Sequence, residues 1–378
     1  MKKLALMIAM SFALVACGGG SSNSTEAVDT NTGNGGTDTV EPVKTKEEAM
    51  IAVLTSLADN YILPSYSDLA NKADEFESAS IDFCSNSKAG TAELTKLRQS
   101  WLSLSLSWQH TKPVKEGMAD NTFVNSRMQT WPEKTAILRG VETLLAAEPL
   151  NEMVVSQTQD GAQGLPALEY LLYPELEAQS LLIATDKEKR CLAVMSIAAN
   201  VKAIVLEINT LWLQTGGNER AQYISGSEEQ IEKQLTSWFV VLEAIVDDKI
   251  NKVLAEGIPG IVKNAEQYRS KTSFESIKKN VKALEVVYLG GDGYGFDDYL
   301  LEIHKKAELD KVIKAAFIQV YAALNKLDIS LEQAVTDNVT RQVLEEITTK
   351  LTALRTIMTT DFVQTTDFYP LINTTDGD

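Results

Sequence analysis

The sequence predicts an all-α protein of two helical-bundle domains, each four-helix-like. Three observations carry that expectation. Apolar residues recur at spacings of three and four through almost every segment beyond residue 44. No convincing period-two alternation occurs, and no Asn-Gly turn joins two β-branched runs. The long periodic runs stop at glycine or proline.

Taken in order, a first helix is expected over 45–58. It opens after Thr45, with Glu48 three positions on in capping-box spacing. The run 92–109 sets Leu94, Leu97, Trp101, Leu104 and Trp108 on one face. Shorter helices and more breakers follow, among them Pro132, Pro149, Pro166 and Pro174. Two long runs cover 186–214 and 227–256; Gly216-Gly217 closes one, and Gly257 with Pro259 the other. The run 274–289 stops at Gly290-Gly291, and 305–327 and 338–358 make two more long helices. Helices with apolar stripes bury them by packing on one another. The natural division is the stretch GGNERAQYISG at 216–226. It gives an N-terminal bundle over 44–216 and a C-terminal bundle over 217–378, with no strong sequence repeat between them.

Composition narrows the function classes. Of 378 residues, 44% are apolar and 23% charged, as expected of a globular body with a sizeable core. Thirty-five Lys+Arg face 52 Asp+Glu, a net charge of −17. That excludes a nucleic-acid partner and docking on anionic lipid through a basic patch. Two histidines in the whole chain exclude a His-rich metal centre. Neither a Gly-x-Ser-x-Gly elbow nor a His-Glu-x-x-His helix is present. His110, near a helix end, and His304 read as solvated helix residues. The run Gly290 to Gly295 lacks the Lys-Ser/Thr of a phosphate loop and reads as a turn between helices.

The N-terminus is an address. Lys2 and Lys3 precede an apolar run from Leu4 to Val15, too short to span a bilayer. It ends in Leu14-Val15-Ala16-Cys17, which resembles the lipobox of bacterial lipoproteins. The resemblance implies a signal peptide over 1–16, cut before Cys17, and acylation of Cys17 as a membrane anchor. Gly18 stands where an Asp would resemble an inner-membrane retention signal. The expected location is therefore the bacterial outer membrane, facing the periplasm or the surface. Cleavage removes two lysines and takes the charge from −17 to −19. The Gly-, Ser-, Asn- and Thr-rich segment through residue 43 is expected to be a disordered tether with a span of roughly 25–30 Å. Cys84 and Cys191 then remain in an oxidising compartment. A disulfide is the simplest pairing; two buried free thiols are the alternative.

The most informative stretch is Gly164-Leu-Pro-Ala-Leu-Glu169-Tyr170-Leu-Leu-Tyr173. Pro166 suits a helix's first turn, where its missing N–H costs nothing. Leu165, Leu168 and Leu172 then share a face, and Glu169 lies at its edge. A carboxylate there must be paired, bind a cation or be protonated. Glu169 is thus a site candidate, with an interhelical salt bridge as the structural alternative.

This stretch resembles the signature of the imelysin family, in which Gly-x-His-x-x-Glu opens such a helix. Gly164 and Glu169 match; the His position holds Pro166. Leu97 to Gln109 resembles the family's first helix, Arg127 to Pro132 its Arg…Trp-Pro segment, and Arg269 to Phe274 its Arg-Ser-x-x-Ser element. The ending Asn373 to Asp378 resembles its Asn-x-x-Asp-Gly-Asp terminus, and Cys84 and Cys191 sit where this lipoprotein branch has cysteines. The likeness spans about residues 45–378.

The resemblance implies two helical bundles around a shared cleft, and either of two roles: a metallopeptidase, or an iron-regulated or iron-uptake protein. The residues weigh against the first, because a hydrolytic metal needs about three protein ligands and a general base, and proline supplies neither. For a binding role, a hard cation such as iron would draw on Glu169, Asp376 and Asp378, with Tyr170 available to ferric iron. An anionic ligand would suit Arg127, Arg269, Ser270 and Ser273, with Trp131 from the Trp-Pro segment. A metal chelate satisfies both signs. The expectation is a non-enzymatic binding protein for a metal or metal chelate; the alternatives are an imelysin-type peptidase and a scaffold lipoprotein for a periplasmic protein partner.

Overall fold

The computed structural model describes residues 44–114, 122–132, 134–213, 218–225 and 227–371. Among the described residues every regular element is a helix. Helix α1 (Lys46–Leu57) starts at the expected capping box: the Thr45 hydroxyl accepts from the Glu48 N–H, and the Glu48 carboxylate accepts from the Thr45 N–H at 2.8 Å. The helix does not end at residue 58. A π-helical turn (Ala58–Ile62) carries it into α2 (Leu63–Ser85). Pro64 explains the wider turn. It has no N–H for the ladder, and the Leu63 N–H reaches the Ala58 carbonyl instead. Helix α3 (Thr91–His110) buries Leu94, Leu97, Trp101, Leu104 and Trp108, the stripe read from the sequence.

Short helices follow among the breakers: α4 (Thr122–Met128), α5 (Lys134–Ala146), α6 (Glu152–Ser156) and α7 (Leu165–Leu172). Helix α8 (Lys187–Trp212) is long and apolar enough to cross a membrane, yet here its apolar face is buried along α2. Helix α2 also packs on α3, and α7 closes against α3, α5 and α8. A disulfide joins Cys84 at the end of α2 to Cys191 at the start of α8, with Cα atoms 5.5 Å apart. The free-thiol alternative is thereby set aside.

Beyond α9 (Glu219–Tyr223), the expected run 227–256 is helical but not uniform. It comprises α10 (Glu228–Glu243), a π-helical stretch (Ala244–Asn251) and α11 (Lys252–Leu254). Helix α12 (Ser273–Tyr288) stops where glycine permits it. Gly290 and Gly291 take φ of 66° and 69°, and the Gly291 N–H caps the Val286 carbonyl at 2.9 Å. This run is the turn into α13 (Phe296–Glu302). Then come α14 (Ala307–Leu324), α15 (Leu331–Ala334), α16 (Asn338–Ile357), a third π-turn (Met358–Phe362) and α17 (Val363–Thr366).

Contacts cross the stretch around residue 216. Helix α3 packs on α12 as well as on α2, and α1 packs on α10 and α13. The described residues from Lys44 to Leu371 accordingly form one unit. The cross-packing of α3 and α12 matters most for function, because the loop before α12 meets α7 there.

Candidate functional site

Helix α7 carries the acid, and its start is held from two sides. The Trp101 indole N–H of α3 donates to the Leu165 carbonyl at 3.2 Å. Gly164, the N-cap, lies flat against the end of α4. A Cβ there would collide with the carbonyl oxygens of Arg127 and Met128, so only glycine allows this approach. Gly164→Ala is expected to cost about 1–3 kcal/mol of stability through overpacking, read as a lower urea midpoint. Arg127 braces the same corner: its Nε donates to Gln163 Oε1 at 2.6 Å and its Nη2 to Asn200 Oδ1 at 3.3 Å.

Glu169 is buried at 4% exposure. Its Oε1 accepts from the Ser270 N–H at 2.8 Å and the Ser270 hydroxyl at 2.7 Å. Burial pushes the carboxyl up to about 7, against the pull of the Ser270 donors and of Arg269. Arg269 stacks on two rings, Tyr170 at 4.6 Å and Tyr268 at 4.9 Å, with Glu175 3.5 Å away. Trp131 donates its indole N–H to the Asn264 carbonyl at 3.2 Å. Trp131, Pro132, Pro166, Glu169, Tyr268 and Arg269 line a small cavity of about 30 Å³.

The structure thus gathers Trp131, Glu169, Tyr170, Arg269 and Ser270. It puts two other candidates elsewhere. Arg127 is engaged with Gln163 and Asn200 beneath α7. Ser273 turns to Glu332, to which its hydroxyl donates. Cys17, Asp376 and Asp378 lie outside the described residues.

Several polar residues here were not read from the sequence. Trp131 and Glu266 also border a cavity of about 230 Å³. On its wall Lys249 is buried, and its Nζ donates to Glu266 Oε2 at 2.7 Å, Gln109 Oε1 at 2.9 Å and Asn280 Oδ1 at 2.7 Å. Gln129 Nε2 donates to Glu266 Oε1 at 2.6 Å. Asn280 left a usable signal, since it interrupts the stripe of Ile277, Val281 and Leu284. The histidines need correction. His110 is half-buried edge-on to Tyr61, and burial lowers it to about 4. His304 is half-buried in the turn after α13, packed on Tyr299. Neither lines the Glu169 cavity.

This site can hold a proton near neutral pH, receive a positive group at Glu169 and receive a negative group at Arg269. It does not fit a hydrolytic metal centre. Pro166 offers no donor, Glu169 Oε1 is occupied by Ser270, and no three His, Cys, Asp or Glu residues gather as ligands among the described residues.

Residues 62–358 match the imelysin family model. The chain is 23% identical over 245 residues to iron-regulated protein A of Synechococcus elongatus, covering 63% of this chain and 64% of that protein, just under two thirds of its length. Its fold is similar to the crystal structure of an imelysin-like protein from Psychrobacter arcticum, with a TM-score of 0.71 and 20% identity over 87% of this chain and 99% of that one. It is also similar to a putative iron-regulated protein A precursor from Parabacteroides distasonis, with a TM-score of 0.66 and 16% identity over 84% and 97% of the two chains. The family match covers most of the sequence and agrees with the all-helical architecture around Glu169: this chain belongs to the imelysin family.

Proposed function

We propose that this protein is a non-enzymatic binding lipoprotein of the bacterial envelope that serves iron acquisition by holding iron as a chelate. Acylated Cys17 would anchor it to the outer membrane, and the segment to residue 43 would let the helical body stand off the lipid. The juxtaposition of Glu169 and Arg269 carries the reading, on the wall of a small cavity that shares Trp131 and Glu266 with the larger one of about 230 Å³. An acid held by two Ser270 donors and a guanidinium stacked on two rings suit a ligand of both signs: a hard cation wrapped by a carboxylate-bearing chelator. The iron-regulated names of two similar proteins support the same direction. A peptidase would need ligands that Pro166 does not provide, and a pure scaffold would need no such wall.

The test is calorimetric titration with Fe³⁺ alone, Fe²⁺, Zn²⁺, Ca²⁺ and ferric citrate, on wild type and Glu169→Ala. Stoichiometric binding of ferric citrate, weakened about tenfold or more in the variant, is the expected result. Heat-silent titrations with every probe in both proteins would remove iron from the reading and leave Glu169 a structural acid.

A further inference from the structure

One buried acid plays no part in that reading. Glu332, on the short helix α15, is 5% exposed. It reaches the same loop as Glu169, at Ser273, three residues beyond Ser270. The loop is Gln267–Ser273, and it is closed on itself. The Gln267 carbonyl accepts from the Lys271 N–H at 3.0 Å and the Ser270 hydroxyl at 3.1 Å. The Gln267 N–H donates to Ser273 Oγ at 3.2 Å. Its side-chain Oε1 accepts from the Thr272 hydroxyl at 2.9 Å and the Ser276 hydroxyl at 2.6 Å, and its Nε2 donates to Ser105 Oγ. Ser270 Oγ and Thr272 Oγ1 lie 2.8 Å apart. Lys271 takes φ of 61°, a left-handed conformation that a lysine holds only where its surroundings over-determine it.

Two carboxyl groups pin this loop. Glu169 takes both donors of Ser270, and Glu332 Oε1 takes the Ser273 hydroxyl. Burial disfavours the charged form of Glu332 against the hydrogen bonds it receives from Ser273 and Ser330, so a carboxyl is a costly residue to place there. We propose that Glu332 is a positioning residue for Glu169: through Ser273 and Gln267 it fixes the strained loop so that the Ser270 N–H and hydroxyl both aim at the site carboxylate. The inference rests on Glu169 being the site acid, not on the identity of the ligand.

Glu169 itself reports the effect. The Ser270 donors favour its ionised form, so loosening them raises the pH at which it charges. The other charged and titratable groups acting on Glu169 are Arg269, Tyr268, Tyr173 and Glu332 itself. Glu332→Gln keeps an oxygen for Ser273, whereas Glu332→Leu removes it. Both are uncharged, so the difference between them isolates the hydrogen bond from the charge.

The experiment is a ¹³C NMR titration of glutamate-labelled protein, without ligand. The Glu169 signal is assigned from Glu169→Gln. Glu169 in Glu332→Leu is expected to titrate about half a pH unit or more above its value in Glu332→Gln. Ser273→Ala, which cuts the same link at the loop, is expected to shift it in the same direction. A residue with only a structural role would lower the melting temperature and leave the Glu169 titration in place. Equal Glu169 midpoints in folded Glu332→Gln and Glu332→Leu overturn the proposal. If Glu332→Leu does not fold, an unshifted midpoint in Ser273→Ala overturns it. Because no ligand is present, this outcome is separate from any failure to bind iron.

Discussion

Glu169→Gln is expected to stabilise the folded protein by about 3 kcal/mol at pH 8 and by almost nothing at pH 4. The carboxyl is ordinarily near 4.5, and burial on α7 raises it to about 7. Below pH 4.5 it is protonated in both the folded and unfolded chains and costs nothing. As pH rises from 4.5 to 7, the unfolded chain ionises it while the folded chain keeps the proton, so stability falls. Above pH 7 the folded chain bears the full cost of a buried carboxylate. Glutamine never charges, and its oxygen can still accept from both Ser270 donors. Urea unfolding of the two proteins at pH 4, 6 and 8 is the check. The curves should coincide at pH 4 and separate progressively; parallel curves at every pH would show that Glu169 titrates at its ordinary value. A positive group at Glu169 would recover the cost. Ligand binding in the wild type should therefore release a proton below pH 7, a stability given up at the site for function.

What the sequence made legible is the part governed by local rules. The stripe from Leu94 to Trp108, the Thr45–Glu48 box and the glycine stop at 290–291 stand where the reading put them. Helix continuity was less legible. The first helix runs through residue 58 because a π-turn absorbs the missing N–H of Pro64, and a proline read in isolation signals an end. Glu169 was visible as an acid at the edge of an apolar stripe. Its partner Ser270 is 101 residues away, and no local period encodes that meeting; the resemblance marked both residues as candidates, and only the fold brings them together. Glu332 and Lys249 had no signal at all. Each is a charged residue that reads as surface until the fold closes over it. The histidines failed for the same reason: a ring at a helix end reads as wet unless a Tyr61 or Tyr299 from elsewhere packs on it.

Replacing Cys84 and Cys191 together with serine is expected to cost about 4–5 kcal/mol, the larger of the two effects, with little change in the folded state. The bridge closes a loop of 107 residues in sequence. Its contribution in the chain-entropy model comes from restricting the unfolded chain, and it grows with loop length. The folded side has other support. Helices α2 and α8 pack along their lengths, and Lys202 on α8 ties to Asp74 and to Glu77 on α2, the latter at 2.7 Å. The helical spectrum at neutral pH should therefore persist. The urea midpoint should fall, and the slope should rise because the unlinked unfolded chain exposes more surface. Equal midpoints and slopes with and without the bridge would show that the unfolded chain is already held compact. A falling midpoint with a constant slope would move the stabilisation into the folded contacts at the α2–α8 end. The stapled pair is also the frame against which α7 closes on α8. Loss of the bridge should therefore lower global stability while leaving the Glu169 titration near 7, unlike any change in the loop that holds it.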